Sequence, residues 1–154
     1  MNVSECMSTD VRLCAPDDTI GDAARIMKEI DAGLLPVGEN DRLVGMITDR
    51  DMAVRAIAED KDSDTPVREV MSQEVRYCFE DEDLDDVATQ MSDLQVRRLP
   101  VLSREKRLVG IISLADISHA GDDGADRSGA ALSGVTEPST QHSQQQRQRK
   151  EIWT

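Results

Sequence analysis

No run of about 18 or more apolar residues occurs in this sequence, so no segment is long enough to cross a bilayer as a helix. The start of the chain lacks the basic-then-apolar order of a secretory signal, and a cytoplasmic location is expected. Cysteine is scarce. Cys6, Cys14 and Cys78 are odd in number and show no C-x-x-C spacing, which argues against a disulfide framework and fits buried thiols in a reducing compartment. Histidine is scarcer still, with only His119 and His142, so a zinc site has little to be built from and no metal is expected. No Walker lysine is present and no nucleophile stands in a motif with a base, so no catalytic residue is assigned. Positive charge is also short: 18 Lys and Arg face 31 Asp and Glu, a formal charge of −13. Such a surface repels polyanions, and neither nucleic acid nor a membrane is expected as a partner. Asp outnumbers Glu 20 to 11 and Lys is rare at 4, a balance that would suit a salty cytoplasm.

What the sequence does have is an internal repeat. Aligned at an offset of 64, residues 3–37 and 67–101 are identical at 14 of 35 positions, among them Met7, Ser8, Val11, Cys14, Met27, Leu35, Pro36 and Val37. A one-residue slip then moves the offset to 65. There Arg42-Leu43-Val44-Gly45 matches Arg107-Leu108-Val109-Gly110, and Asp51 matches Asp116. The expected organisation is repeat one over 1–58, a polar linker over 59–66, repeat two over 67–120, and a Gly, Ser, Thr and Gln-rich disordered tail over 121–154.

Each copy reads as the same series of elements. Residues 11–14 and 75–78 alternate as short strands do. A helix follows, capped at Thr19 with Asp22 three residues on, and bearing an apolar face at Ile20, Ala23, Ala24, Met27 and Ile30. Copy two repeats the face at Leu84, Val87, Ala88, Met91 and Leu94. Two apolar runs, 34–37 and 43–48, flank the turn formers Gly38-Glu39-Asn40-Asp41 and predict a hairpin. A second helix is expected over about 50–59, with Met52, Ala53, Ala56 and Ile57 apolar, and its copy-two counterpart ends near Ala120.

The two copies close on Gly45-Met46-Ile47-Thr48-Asp49-Arg50-Asp51 and Gly110-Ile111-Ile112-Ser113-Leu114-Ala115-Asp116, where a strand gives way to a helix. The hydroxyl and the acid three residues later can be a capping box and nothing more. They can equally serve a ligand. A helix start favours phosphate, a hydroxyl adds a donor to it, and a carboxylate accepts hydrogen bonds from vicinal ribose hydroxyls. Both readings stay open on the residues alone.

The Met-Ser-x-x-Val starts, the Leu-Pro-Val middles and the Gly-apolar-apolar-Thr/Ser-x-x-Asp ends, all duplicated in order, resemble a tandem pair of cystathionine-β-synthase (CBS) domains, a Bateman module, over residues 1 to about 120. The resemblance implies an α/β (α+β) fold of two β-α-β-β-α repeats packed sheet-to-sheet about a pseudo-twofold axis, and a homodimer. It implies a non-enzymatic regulatory module with no obligatory cofactor, whose clefts bind an adenosine nucleotide such as AMP, ADP, ATP, NAD or S-adenosylmethionine, with AMP or ATP foremost, and which signals to a regulated protein in trans. Carried onto this chain, Thr48 and Ser113 face phosphate and Asp51 and Asp116 hold ribose. Leu34, Leu35 and Pro36, with Leu99 and Pro100, line the adenine slots, and Val11 and Val75 pack on the base. Arg97 and Arg98 supply charge in copy two and Arg50 in copy one, so two sites of unequal affinity are expected. A stress-associated scaffold that binds no nucleotide is the competing expectation.

Overall fold

A computed structural model describes residues 1–120, and the expected tail lies outside the described residues. The fold is α+β, two copies of one unit with a separate small sheet each. In copy one, helix α1 (Ile20–Ile30) leads to strands β1 (Leu34–Glu39) and β2 (Arg42–Thr48) and then to α2, which opens at Asp49–Asp51. In copy two, strand β3 (Cys78–Phe79) precedes α3 (Leu84–Leu94), β4 (Arg98–Leu102), β5 (Leu108–Ser113) and α4 (Leu114–Ser118).

The helices start where short polar side chains satisfy free backbone donors. Thr19 accepts the Asp22 N–H at 3.0 Å and Asp83 accepts the Asp85 N–H at 2.8 Å. Both end on a left-handed residue, Asp31 or Gln95, that returns the chain to its hairpin. The β1–β2 hairpin turns on Asn40 and Asp41, both at positive φ, which a two-residue turn matching the strand twist requires.

The strands expected at residues 11–14 and 75–78 are far shorter than the alternation suggested. Copy one keeps a single parallel bridge, Cys14 to Val37, and copy two keeps the two-residue β3 pairing Cys78 with Val101 and Phe79 with Leu102. Proline is the cause. Cys14 donates to the Pro36 carbonyl at 3.1 Å and accepts from Gly38 at 2.9 Å. The next rung upstream would need an N–H from Pro36, which has none, and Pro100 stops copy two at the same point.

The apolar faces also need correction. On α1 the buried residues are Ile20, Ala23 and Met27, while Ala24 and Ile30 face solvent and Ile26 is half-buried. On α3 the face holds at Leu84, Val87, Ala88 and Met91. Helix α2 widens to π turns over Met52–Ala56 and tightens to a 3-10 turn over Ile57–Glu59. That phase shift leaves only Ala56 buried of the four expected apolar positions and turns Ile57 out, 72% exposed.

The copies exchange their starting segments. Ser8 and Ile111 trade two backbone hydrogen bonds, both 2.9 Å, and Ser72 and Met46 trade two at 2.8 and 2.9 Å. Val3 is buried in the core with Leu84, Val87 and Met91, whereas Val67 and Val70 are buried in the core with Ile20, Met27 and Leu35. The glycines of the duplicated ending make this possible. A methyl at Gly45 would stand 2.6 Å from the Met71 sulfur and 3.0 Å from the Ser72 carbonyl oxygen; one at Gly110 would stand 2.6 Å from the Met7 sulfur and 2.9 Å from the Ser8 carbonyl oxygen. A third contact joins the turn ends: Leu108 donates to the Asp41 carbonyl at 3.0 Å, and Arg107 reaches the Asp41 carboxylate at 3.2 Å.

Candidate functional site

The last residue of β2 and of β5 is also the cap of the following helix. Asp51 donates its N–H to the Thr48 hydroxyl at 3.0 Å, and its carboxylate accepts the Thr48 N–H at 3.1 Å. Copy two matches it: Asp116 donates to the Ser113 hydroxyl at 3.1 Å, and its Oδ2 accepts the Ser113 N–H at 2.9 Å. Both capping boxes are complete, so these residues have a structural role in the helix starts. The boxes leave chemistry over. Each hydroxyl accepts one bond and still has its own proton to donate, and each carboxylate has lone pairs beyond the one in use. All four residues are half-buried, neither sealed in the core nor fully solvated.

The hairpins bring further expected residues to these caps. Leu34 is the cross-strand partner of Thr48, Leu35 of Ile47 and Pro36 of Met46. In copy two Arg98 partners Ser113, Leu99 partners Ile112 and Pro100 partners Ile111. Directly opposed residues place their side chains on the same face, about 5 Å apart at Cβ, so Arg98 and Ser113 share one face of the hairpin. Leu35, Pro36, Leu99 and Pro100 are buried. Arg50 is exposed; its backbone N–H donates to the Asp49 carboxylate at 2.8 Å.

The two valines lie elsewhere. Val11 is half-buried in the stretch between the Ser8 and Cys14 bridges. Val75 lines a cavity of about 230 Å³ with Arg42, Leu43, Tyr77, Leu102 and Lys106, at the turn end of the hairpins. None of the four cap residues lines that cavity.

One feature of the caps escaped the sequence reading. The Asp49 N–H donates to the Gly33 carbonyl at 2.9 Å, and the Leu114 N–H donates to the Arg97 carbonyl at 3.0 Å, the same bond in both copies. In copy one the Asp49 carboxylate lies over Gly33, where a methyl would be 2.6 Å from Oδ2. Copy two has an arginine and a leucine at these places. The alignment shows the residue differences, Gly33 against Arg97 and Asp49 against Leu114, but not the contact.

The thiols stand apart from this chemistry. Burial, with Asp18 adding, pushes the Cys14 thiol up to about 11; burial, with Glu82 adding, pushes Cys78 up to about 12. Both keep their protons and are poor nucleophiles. Cys6, expected to be buried, is half-buried, with its sulfur 3.2 Å from that of Met1. Among the described residues no group of three His, Cys, Asp or Glu is placed to hold a metal ion, and no helix is long and apolar enough to cross a membrane.

Comparison with known proteins identifies the architecture. The CBS domain family matches residues 3–56 and 67–123. The CBS domain-containing protein YhcV of Bacillus subtilis is 38% identical over 135 residues, covering 88% of this chain and 95% of its own length. Hypoxic response protein 1 of Mycobacterium tuberculosis is 37% identical over 117 residues, covering 75% of this chain and 81% of that one. A crystal structure of Hypoxic Response Protein I with two coordinated zinc ions superimposes with a TM-score of 0.71 at 34% identity, covering 78% of this chain and 98% of that one. The CBS domain pair of protein MJ0100, in complex with 5-methylthioadenosine and S-adenosyl-L-methionine, gives a TM-score of 0.66 at 31% identity, covering 77% of this chain and 93% of that one. The chain belongs to the CBS domain family and carries a tandem pair of the domains.

Proposed function

We propose that this CBS pair is a non-enzymatic regulatory module that binds adenosine compounds at its two caps, Thr48/Asp51 and Ser113/Asp116, and passes the occupancy to a partner protein in trans. The observation that carries the reading is one hydroxyl–carboxylate pair repeated at equivalent places, each with spare hydrogen-bonding capacity. The complex of the MJ0100 pair with two adenosine compounds supports the ligand class. Phosphate would meet Ser113 and Arg98, ribose would meet Asp116, and the base would lie against Leu99 and Pro100. The copy-one counterparts are Thr48, Asp51, Leu35 and Pro36, with Arg50 nearby. No resident cofactor is required, AMP and ATP are the foremost ligands, and the module works in the cytoplasm. A homodimer fits the exposed apolar residues of α2, Val54 at 46% and Ile57 at 72%.

A melting scan with AMP, ADP, ATP, NAD and S-adenosylmethionine tests the reading. A ligand at 100 times its dissociation constant adds about 2.7 kcal/mol, a shift of several degrees. No shift with any of them would sink it. The complete capping boxes favour one second reading, a scaffold that binds no nucleotide, and that outcome would support it.

A further inference from the structure

We propose that the two caps select adenosine compounds by charge: copy two takes one bearing a phosphate, and copy one takes one with a neutral or cationic group in its place. The proposal rests on the adenosine-binding reading above and adds what each site accepts. Asp49 and Arg98 are the residues that decide.

The two sites share a backbone frame. The bond from residue 49 to the carbonyl of residue 33 recurs as the bond from 114 to 97, and the strand pair 34 with 48 recurs as 98 with 113. On that common frame the side chains change sign. Gly33, Leu34 and Asp49 in copy one correspond to Arg97, Arg98 and Leu114 in copy two. Arg50 corresponds to Ala115, so at these four positions copy one has one charge of each sign, while copy two has two positive charges and none negative. Among the described residues neither Arg97 nor Arg98 forms a salt bridge with a carboxylate.

Position sharpens the contrast. Asp49 follows Thr48 directly, and its carboxylate is held over the Gly33 backbone and by the Arg50 N–H. A phosphate at the Thr48 hydroxyl would share the helix start with the carboxylate of the very next residue, and like charges on neighbouring residues repel even at protein-surface dielectric. A sulfonium on the same adenosyl frame would be attracted instead. In copy two Arg98 is the cross-strand partner of Ser113, so a positively charged side chain starts on the same face as that hydroxyl, within reach of an anion bound there.

The test is calorimetric titration of the full chain with AMP, adenosine and S-adenosylmethionine, on the wild type and on Arg98→Glu and Asp49→Asn. Both substituted side chains are exposed, and circular dichroism checks that each variant folds. The wild type should bind one AMP per chain tightly, with adenosine or S-adenosylmethionine filling the other site. Arg98→Glu should weaken AMP by about tenfold or more and leave copy-one binding unchanged, and Asp49→Asn should strengthen a second AMP site by about tenfold. Equal AMP affinity at two sites of the wild type overturns the proposal, as does no change in the second AMP site on Asp49→Asn. If none of the three probes binds the wild type, the adenosine-binding reading itself falls, and this proposal with it.

Discussion

In copy one the pairing before the first helix is a single bridge, Cys14 to Val37; in copy two it is a two-residue strand on Val101 and Leu102. In copy one the second helix runs through π turns to Glu59; in copy two α4 spans Leu114–Ser118. Yet both caps, both hairpin registers and both glycine seats coincide. The caps, registers and glycine seats that join backbone to backbone are shared, whereas the side chains beside the two caps differ. Duplication kept the frame and freed the side chains at residues 33, 34 and 49 to differ from those at 97, 98 and 114.

The largest test of that shared frame is at its glycines. Gly45→Ala and Gly110→Ala should each destabilise by about 1–3 kcal/mol in urea denaturation, because the new methyl meets a backbone oxygen as well as a flexible methionine. Equal losses would sharpen the symmetry; a loss at one only would break it. Next come the exchanged valines. Val3→Ala and Val67→Ala should each cost about 2 kcal/mol. Hydrogen exchange should then quicken in α3 for Val3→Ala and in α1 for Val67→Ala, since each valine is buried in the other copy's core. The reverse pattern would refute the exchange.

The caps should cost less. Asp51→Ala and Asp116→Ala each remove one half of a capping box, worth about 1 kcal/mol, and each should abolish one adenosine site. A stability loss with binding intact would leave the caps purely structural. The smallest effect is in the thiols. Folded Cys14 and Cys78 stay protonated while unfolded thiols ionise near 9, so their contribution is full below about pH 9 and falls as pH rises toward 11 and 12. Between pH 7 and 9.5 each should lose the fold somewhat under 1 kcal/mol, a slope that Cys14→Ala or Cys78→Ala removes. An unchanged slope would mean the thiols are not shielded.

The sequence made local features legible. The caps at Thr48 and Ser113 depend on residues three apart, the hairpin on Asn40-Asp41, and the α3 face on helical spacing. It overreached where a distant group decided: residues 11–13 alternate like a strand, but Pro36 denies them a rung. Ile57 fitted the spacing of a regular helix until the π turns rotated it outward. The crossing of Met7-Ser8 onto Gly110 was not legible, because nothing within one copy distinguishes its own glycine from the other's. The placement of Asp49 over Gly33 joins a helix start to the residue before a hairpin, and it too needed the fold.

The central claim is tested most directly by a crystal structure of the full chain grown with AMP. The account predicts nucleotide density in copy two, with the ribose on the Asp116 carboxylate and the phosphate beside Ser113 and Arg98. Density in the turn-end cavity lined by Val75 and Tyr77, with the Ser113 cap empty, would contradict it.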